Sequence, residues 1–355
     1  MAQQSVTSLG SGAGGSVRED LANFISNIDR DETPLSSMAG STKATSTYHD
    51  WLTDEYADPI AQTVAEGSSF MPTDNPEVGS VAAGTRAEMT NRTRLRNFTQ
   101  IFRAQSEVSN TAIAVNTAGI ANEFAYQLKK KGVEVRRNRE FQLVLNGANS
   151  VKNEAGAVRR LGSLVSWTGG GNAINSLASG AVTYTNVGNG NGRPSFGGTG
   201  IAFERSHVER AVSAMYVNGG KPNMLMTSAR KRTAVSAAFN SDSTTGPASN
   251  TSIRRLEAME KKLNISIAAV ITDFGVDLGI VPNYIMDLAN ANTPAADFMY
   301  IFDSSMVKMA MLRPLTVGKL DDRGDGKQAL ITEECTLEVM NPNSVGVIGN
   351  LLATP

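Results

Sequence analysis

Two limbs of opposite charge lie next to each other in this 355-residue chain: Asp50–Glu77, DWLTDEYADPIAQTVAEGSSFMPTDNPE, and Arg86–Arg103, RAEMTNRTRLRNFTQIFR. The first carries Asp50, Asp54, Glu55, Asp58, Glu66, Asp74 and Glu77 with no Lys or Arg. The second sets Arg86, Arg92, Arg94, Arg96 and Arg103 against Glu88 alone. Residues 46–108 lack helical period, hold Pro59, Pro72 and Pro76, and end in the alternation Leu95, Asn97, Thr99, Ile101, so extended strands are expected. An acidic outgoing limb and a basic returning limb suit a long hairpin that pairs with itself or with a neighbouring chain. Two separately solvated faces are the plainer alternative.

Over the whole chain the charge is balanced: 33 Lys and Arg against 34 Asp and Glu. The overall basicity of a dedicated nucleic-acid binder is therefore missing, and any charge-driven function must come from local clusters. The length corresponds to roughly two domains at about 150 residues each. One cysteine, Cys335, excludes an intrachain disulfide framework, a CxxC redox pair and a thiolate zinc cluster. Residues 1–15 have neither a basic nor an apolar segment of the signal-peptide kind, and no run of 18 apolar residues occurs, so neither secretion nor membrane insertion is expected.

Residues 1–17 are small and polar and read as a flexible arm. Leu21, Phe24, Ile25 and Ile28 follow at helical spacing. The strongest helix signal covers 110–148, with Ile113, Ile120, Phe124, Leu128 and Val135 on one face, interrupted by the candidate bend points Gly119 and Gly132. From Lys129 to Arg160 nine basic residues oppose three acidic ones, which makes one face of that helix basic. Residues 169–200 hold ten glycines and read as a linker. Beyond it are expected a helix near 202–217 stopped by Gly219-Gly220, a buried strand at Met224–Met226, a helix capped by Ser228, strands around Asp273-Phe274-Gly275, and long strands over Tyr300–Leu312 and Ala329–Val339. The segments do not alternate as βαβ units, so the fold class is α+β.

Catalytic material is scarce. Only His49 and His207 are available for a triad or a metal site, GxSxG and GxxxxGK[ST] are absent, and Cys335 sits in an apolar run as core filler. Asp273-Phe274-Gly275 lacks its kinase companions. Asp321–Gly326 has Arg323 at a calcium-ligand position and reads as a polar turn. No enzyme activity, cofactor or metal is expected.

Several short motifs carry a resemblance. Val17-Arg18-Glu19-Asp20-Leu21, Asn27-Ile28, Glu32-Thr33-Pro34, Lys43-Ala44-Thr45 and Tyr48–Asp54 resemble the opening of a tailed-phage major capsid family. Glu123–Leu128 with the basic run after it is similar to that family's spine helix. Asp273-Phe274-Gly275, Val281-Pro282-Asn283, Leu312-Arg313-Pro314 and Thr336-Leu337-Glu338 match in the same order.

The resemblance implies the Hong Kong 97 fold. Its parts map as an N-terminal arm (1–45), an E-loop (46–109), a peripheral domain (110–168 and 297–340), a glycine-rich linker (169–199), an axial domain (200–296) and a C-terminal segment (341–355). It implies a shell subunit that assembles with itself into hexamers and pentamers of an icosahedral head around double-stranded DNA. The portal, and scaffold or decoration proteins, would be its partners, and the virion, built in the host bacterial cytoplasm, its location. Arg18, Glu19, Asp20, Trp51, Asp54, Glu55, Arg92, Arg94 and Arg96 are then candidates for contacts between subunits. Lys129, Lys130, Lys131, Arg136 and Arg137 would face DNA weakly, and Gly119 and Gly132 would act as hinges. Some members of this fold join an E-loop lysine to a neighbour's asparagine, yet no lysine occurs between Lys43 and Lys129. A non-enzymatic phage tail or adhesion module using Arg323–Asp325 is the competing reading.

Overall fold

A computed structural model describes residues 30, 32–54, 56, 66, 92–115, 122–144, 158–176, 182–185, 190, 192–240, 269–272, 274–288, 298–321 and 324–351. The arm helix expected over 17–28, the residues Arg18, Glu19, Asp20 and Glu55, and Gly119 lie outside them. The helices in chain order are α1 (Pro34–Met38), α2 (Asn110–Ala114), α3 (Glu123–Val144), α4 (Arg205–Val217) and α5 (Ala229–Asn240). The strands are β1 (Gly40–Lys43), β2 (Tyr48–Thr53), β3 (Thr93–Phe98), β4 (Gln100–Ser109), β5 (Ala173–Asn175), β6 (Val182–Thr185) and β7 (Arg193–Phe196). They continue as β8 (Met224–Thr227), β9 (Ala269–Ile271), β10 (Asp277–Pro282), β11 (Met299–Phe302), β12 (Val307–Lys319), β13 (Gly326–Val339) and β14 (Val345–Gly349). The α+β class follows directly.

The chain divides into two compact units. The first takes the described residues up to Ser37, Ile101–Gln142 and Arg313–Glu334. Here β4 lies beside β13, and β13 beside β12. Phe102, Ser106 and Val108 are buried at alternate positions of β4, the period-2 pattern of a strand with one covered face. The single helix expected over 110–148 is instead two. Ser109 caps α2, which ends at Val115 in extended backbone. The second helix opens at Asn122, whose side-chain oxygen accepts from the Ala125 amide at 3.1 Å. The spacing of 7 between Ile113 and Ile120 had bridged this break without revealing it.

The second unit holds a six-stranded mixed sheet of order β5-β14-β11-β8-β10-β9. One side of the sheet packs Leu225, Leu278, Ile280, Met299, Ile301 and Ile348 against Val208, Ala211, Val212 and Met215 of α4 and Val235 and Phe239 of α5. All four residues of β11 are buried, so the other face is covered as well. There the Tyr300 hydroxyl donates to the Val144 carbonyl at 3.0 Å. His207 closes the first turn of α4: its Nδ1 accepts from the Glu204 amide at 3.0 Å, a bond that needs the neutral ring. Burial holds its pKa below the usual histidine value. Met224–Thr227 and the Ser228-capped helix α5 form where the sequence places them.

Three expectations change. The strand expected over Tyr300–Leu312 is two strands in different sheets, because Asp303 caps a 3-10 turn over Ser304–Met306 and interrupts it. β11 belongs with β8 and β10, so the six-stranded sheet takes strands from both sides of the boundary expected at 296/297. The glycine-rich stretch 169–200 also does more than link, since it supplies the buried β5 and the β6–β7 hairpin. Gly190 has φ +78°, and a Cβ there would lie 2.6 Å from the Trp167 ring, so this glycine serves close packing.

The helix α3 runs unbroken through Gly132, where a Cβ would meet open space. Gly132→Ala is therefore expected to raise stability by about 0.5–1 kcal/mol, the helix-propensity difference. Gly190→Ala is expected to lower it by more than about 2 kcal/mol through overpacking and a strained φ. Urea denaturation of the two variants checks both signs.

Candidate interaction surfaces

Strands β2 and β3 form a two-stranded antiparallel ribbon in the second unit, in the register Tyr48↔Phe98, Asp50↔Arg96, Leu52↔Arg94 and His49↔Asn97, Trp51↔Leu95. The pleat sends these two sets to opposite faces. A lone ribbon of this size is marginal in water, so one face must be anchored. The anchored face is that of His49, Trp51, Leu95 and Asn97. Asn97 is fully buried, donates from Nδ2 to the Leu337 carbonyl at 2.7 Å, and accepts on Oδ1 from the amides of Phe98 and Gly162, both at 2.9 Å. Thr336 donates its hydroxyl to the Phe98 carbonyl at 2.9 Å, and Arg159 Nε donates to the Thr99 carbonyl at 2.6 Å. His49 Nε2 lies 3.0 Å from Glu338 Oε2. The Trp51 ring tilts against the buried Trp167 with 5.0 Å between centroids.

The opposite face carries the charge. Arg96 donates to Asp50 from Nε at 2.7 Å and Nη2 at 2.9 Å, and the Arg94 guanidinium reaches the same carboxylate. Arg92 pairs with Asp54 at 3.3 Å, with side chains 69% and 55% exposed. The Arg96 guanidinium also covers the Tyr48 ring at 4.5 Å. Hydrogen bonding from Arg96, with Arg94 beside it, holds the Asp50 carboxyl below the usual carboxylate range against the opposing effect of burial. The two limbs thus meet within one chain at the root of the hairpin. Arg92, Arg94, Arg96 and Asp54 have partners on their own ribbon, while Trp51 points to the anchored side.

In the first unit the basic residues of α3 divide. At about 100° per residue, Lys129, Lys130, Arg136 and Arg137 fall within an arc of about 120°, whereas Lys131 lies across the helix. Lys131 pairs with Glu134 at 2.7 Å. Lys129, Lys130 and Arg136 are exposed. Near its end the helix turns to fastening: Arg139 pairs with buried Glu333 of β13, and Glu140, fully buried, takes hydrogen bonds from Leu35 and Ser36 of α1. Its carboxylate accepts from the Leu35 amide at 2.7 Å, the Ser36 amide at 2.9 Å and the Ser36 hydroxyl at 2.6 Å. Neither Asn97 nor Glu140 stands out in the sequence, where Asn97 matches only a glycosylation sequon and Glu140 only reduces a basic count.

Among the described residues no cluster of three or more His, Cys, Asp or Glu is placed to hold a metal ion. Cys335 is buried, and His49 and His207 lie apart in the ribbon and at the start of α4.

A family model described as SU10 major capsid protein matches residues 2–352. The major capsid protein of Escherichia phage Phieco32 is 25% identical over 360 residues, covering 92% of each chain. A solved structure from Mycobacterium phage Adephagia superposes with a TM-score of 0.59 at 13% identity, over the whole of both chains. The capsid of a native GTA particle gives 0.57 at 14% identity, covering 99% of this chain and 100% of that one. The holo-SrpI encapsulin complex from Synechococcus elongatus PCC 7942 gives 0.55 at 10% identity, covering 100% and 98%. At such identities the structural likeness speaks for the fold alone, which is that of Hong Kong 97.

The charged face of the ribbon makes its stability depend on pH. Because the folded Asp50 pKa is depressed, its contribution is complete above the unfolded value near 4 and is lost as the pH falls through the folded pKa. Hydrogen exchange of the β2 and β3 amides should accelerate below about pH 4 more steeply than that of β11. Asp50→Asn should cost about 1 kcal/mol at neutral pH and flatten this acid dependence, the modest size reflecting the exposure of both arginines.

Proposed function

We propose a mode of shell building from the premise that the chain belongs to the SU10 major capsid protein family, matched over residues 2–352. The chain is a phage major capsid protein, a structural component of the virion that associates with itself. In our reading its copies form the hexamers and pentamers of an icosahedral head that encloses double-stranded DNA. Rings of both sizes from one sequence demand heterologous contacts that close at more than one angle. The observation that carries this reading is the division of the β2–β3 ribbon into one face anchored by Asn97 and one charged face at the surface. A root fixed on one side leaves the other for a neighbour.

Residues 1–45 then act as a strap over adjacent subunits. Arg18, Glu19, Asp20 and Glu55 join Asp54 and Arg92 in contacts between copies, and Gly119 absorbs the tilt between ring types, whereas Gly132, inside the continuous helix α3, does not serve as a hinge. Lys129, Lys130, Arg136 and Arg137 face packaged DNA. Weak contact there suits a genome that must slide during filling, since phosphate binding by a few cations falls steeply with salt. A portal, and scaffold and decoration proteins where the phage encodes them, complete the particle in the host cytoplasm.

Electron microscopy and sedimentation of the purified chain test the reading: closed shells of megadalton mass are expected, and a small fixed oligomer would overturn it. Arg94 and Arg96 are poor probes, because reversing them sets like charges against Asp50 in the same ribbon. Arg92 also has a ribbon partner, Asp54, but that pair is largely in water and contributes little, so Arg92→Glu should leave the fold intact while lowering shell yield at low salt. The span between Lys43 and Lys129 contains no lysine to supply an amine for stapling. Shells boiled in detergent and reductant should therefore run as one band near 37.6 kDa. A covalent ladder would show chemistry that this chain's E-loop cannot furnish.

A further inference from the structure

We infer that Glu140 is the residue that aims the N-terminal arm, and that assembly depends on its grip on Leu35 and Ser36. The inference rests on the reading of residues 1–45 as a strap between copies. The physical case begins with α1, a five-residue helix that cannot hold itself. Pro34 at its start has no amide to satisfy, so the first orphan donors are the amides of Leu35 and Ser36. Both go to one carboxylate, at 2.7 and 2.9 Å on separate oxygens, and the Ser36 hydroxyl adds a third bond at 2.6 Å. Leu35 and Glu140 are each fully buried.

Two donors on two oxygens fix orientation as well as position, because a single bond would leave the short helix free to rotate about it. The chain before Pro34 must then leave in one direction. The neighbouring residue on α3, Arg139, is engaged with Glu333, and Glu333 is itself buried. The carboxylate therefore stands on a helix turn held by a second bond to the sheet, which makes Glu140 a rigid post. A strap that has to find its site on the next subunit gains from leaving its own subunit at a set angle, since ordering it in advance lowers the entropy lost on contact.

Glu140→Ala, Glu140→Gln and Ser36→Ala in the full chain, beside a deletion of residues 1–33, test this. For Glu140→Ala, exchange at the Leu35 and Ser36 amides should rise at least tenfold while Ile101–Ser109 and Gly326–Glu334 keep their protection, and shell yield should fall at least tenfold. Glu140→Gln and Ser36→Ala should fall between it and wild type in both measures. Normal shells from Glu140→Ala, with assembly lost in the deletion, would show that the arm matters and that Glu140 does not aim it. Normal shells from the deletion would remove the strap reading and the inference with it. Should Glu140→Ala lose protection throughout the sheet, Ser36→Ala decides, because it leaves α3 untouched. Wild-type shell yield from Ser36→Ala would then overturn the proposal.

Discussion

Asn97 holds the ribbon to the body of its unit, and the outer face has meaning only because of it. A buried primary amide must have its polar atoms met, and here one donor and one doubly used acceptor join three backbone groups, one on β3 itself and two on other segments. Each bond contributes only about 1 kcal/mol net, but loss of the side chain would strand two buried backbone groups, the Leu337 carbonyl and the Gly162 amide, at roughly 1–3 kcal/mol each. The charge row on the other face is worth less, because its arginines are largely in water. Magnitude therefore separates the two faces: the inner face decides whether the ribbon is seated, and in the proposed shell the outer face is the one left for a neighbour.

The first unit solves a similar problem with charge. Glu140 and Glu333 are both carboxylates sealed from solvent, a costly arrangement unless fully partnered. Glu333 has Arg139, while Glu140 accepts from the Leu35 and Ser36 amides and the Ser36 hydroxyl. The same helix thus seats a carboxylate in the packed part of its unit near its end while Lys129, Lys130 and Arg136 stay exposed.

Much of the second unit was legible from the chain, and the reason is local. Met224–Met226, the Ser228 cap and the Gly219-Gly220 stop each depend on a few consecutive residues, so pattern and cap chemistry suffice. What escaped was of two kinds. Breaks hidden inside a favourable period, at Val115 and at Asp303, come from caps that a hydrophobic count passes over. Long-range partners, such as Glu140 with an arm 105 positions earlier or Asn97 with a carbonyl 240 positions later, leave no local trace at all. The glycine-rich stretch shows a third limit: composition cannot tell a glycine needed for slack from one, like Gly190, needed because an indole ring fills its place. The resemblance of ordered motifs pointed to the fold where composition alone stopped at α+β.

The pairing of Trp51 with Trp167 has an optical consequence. They are the only two tryptophans in the chain, and their rings lie 5.0 Å apart at the root of the ribbon. Among the described residues neither indole nitrogen has a hydrogen-bond partner, and both are shielded from solvent. The whole intrinsic indole emission of the protein therefore originates at one junction. Unseating the ribbon would separate the rings and wet one of them, shifting that emission to longer wavelength while the sheets stay folded. The unlabelled protein carries its own gauge of the ribbon's seating, readable in free subunit and finished shell alike.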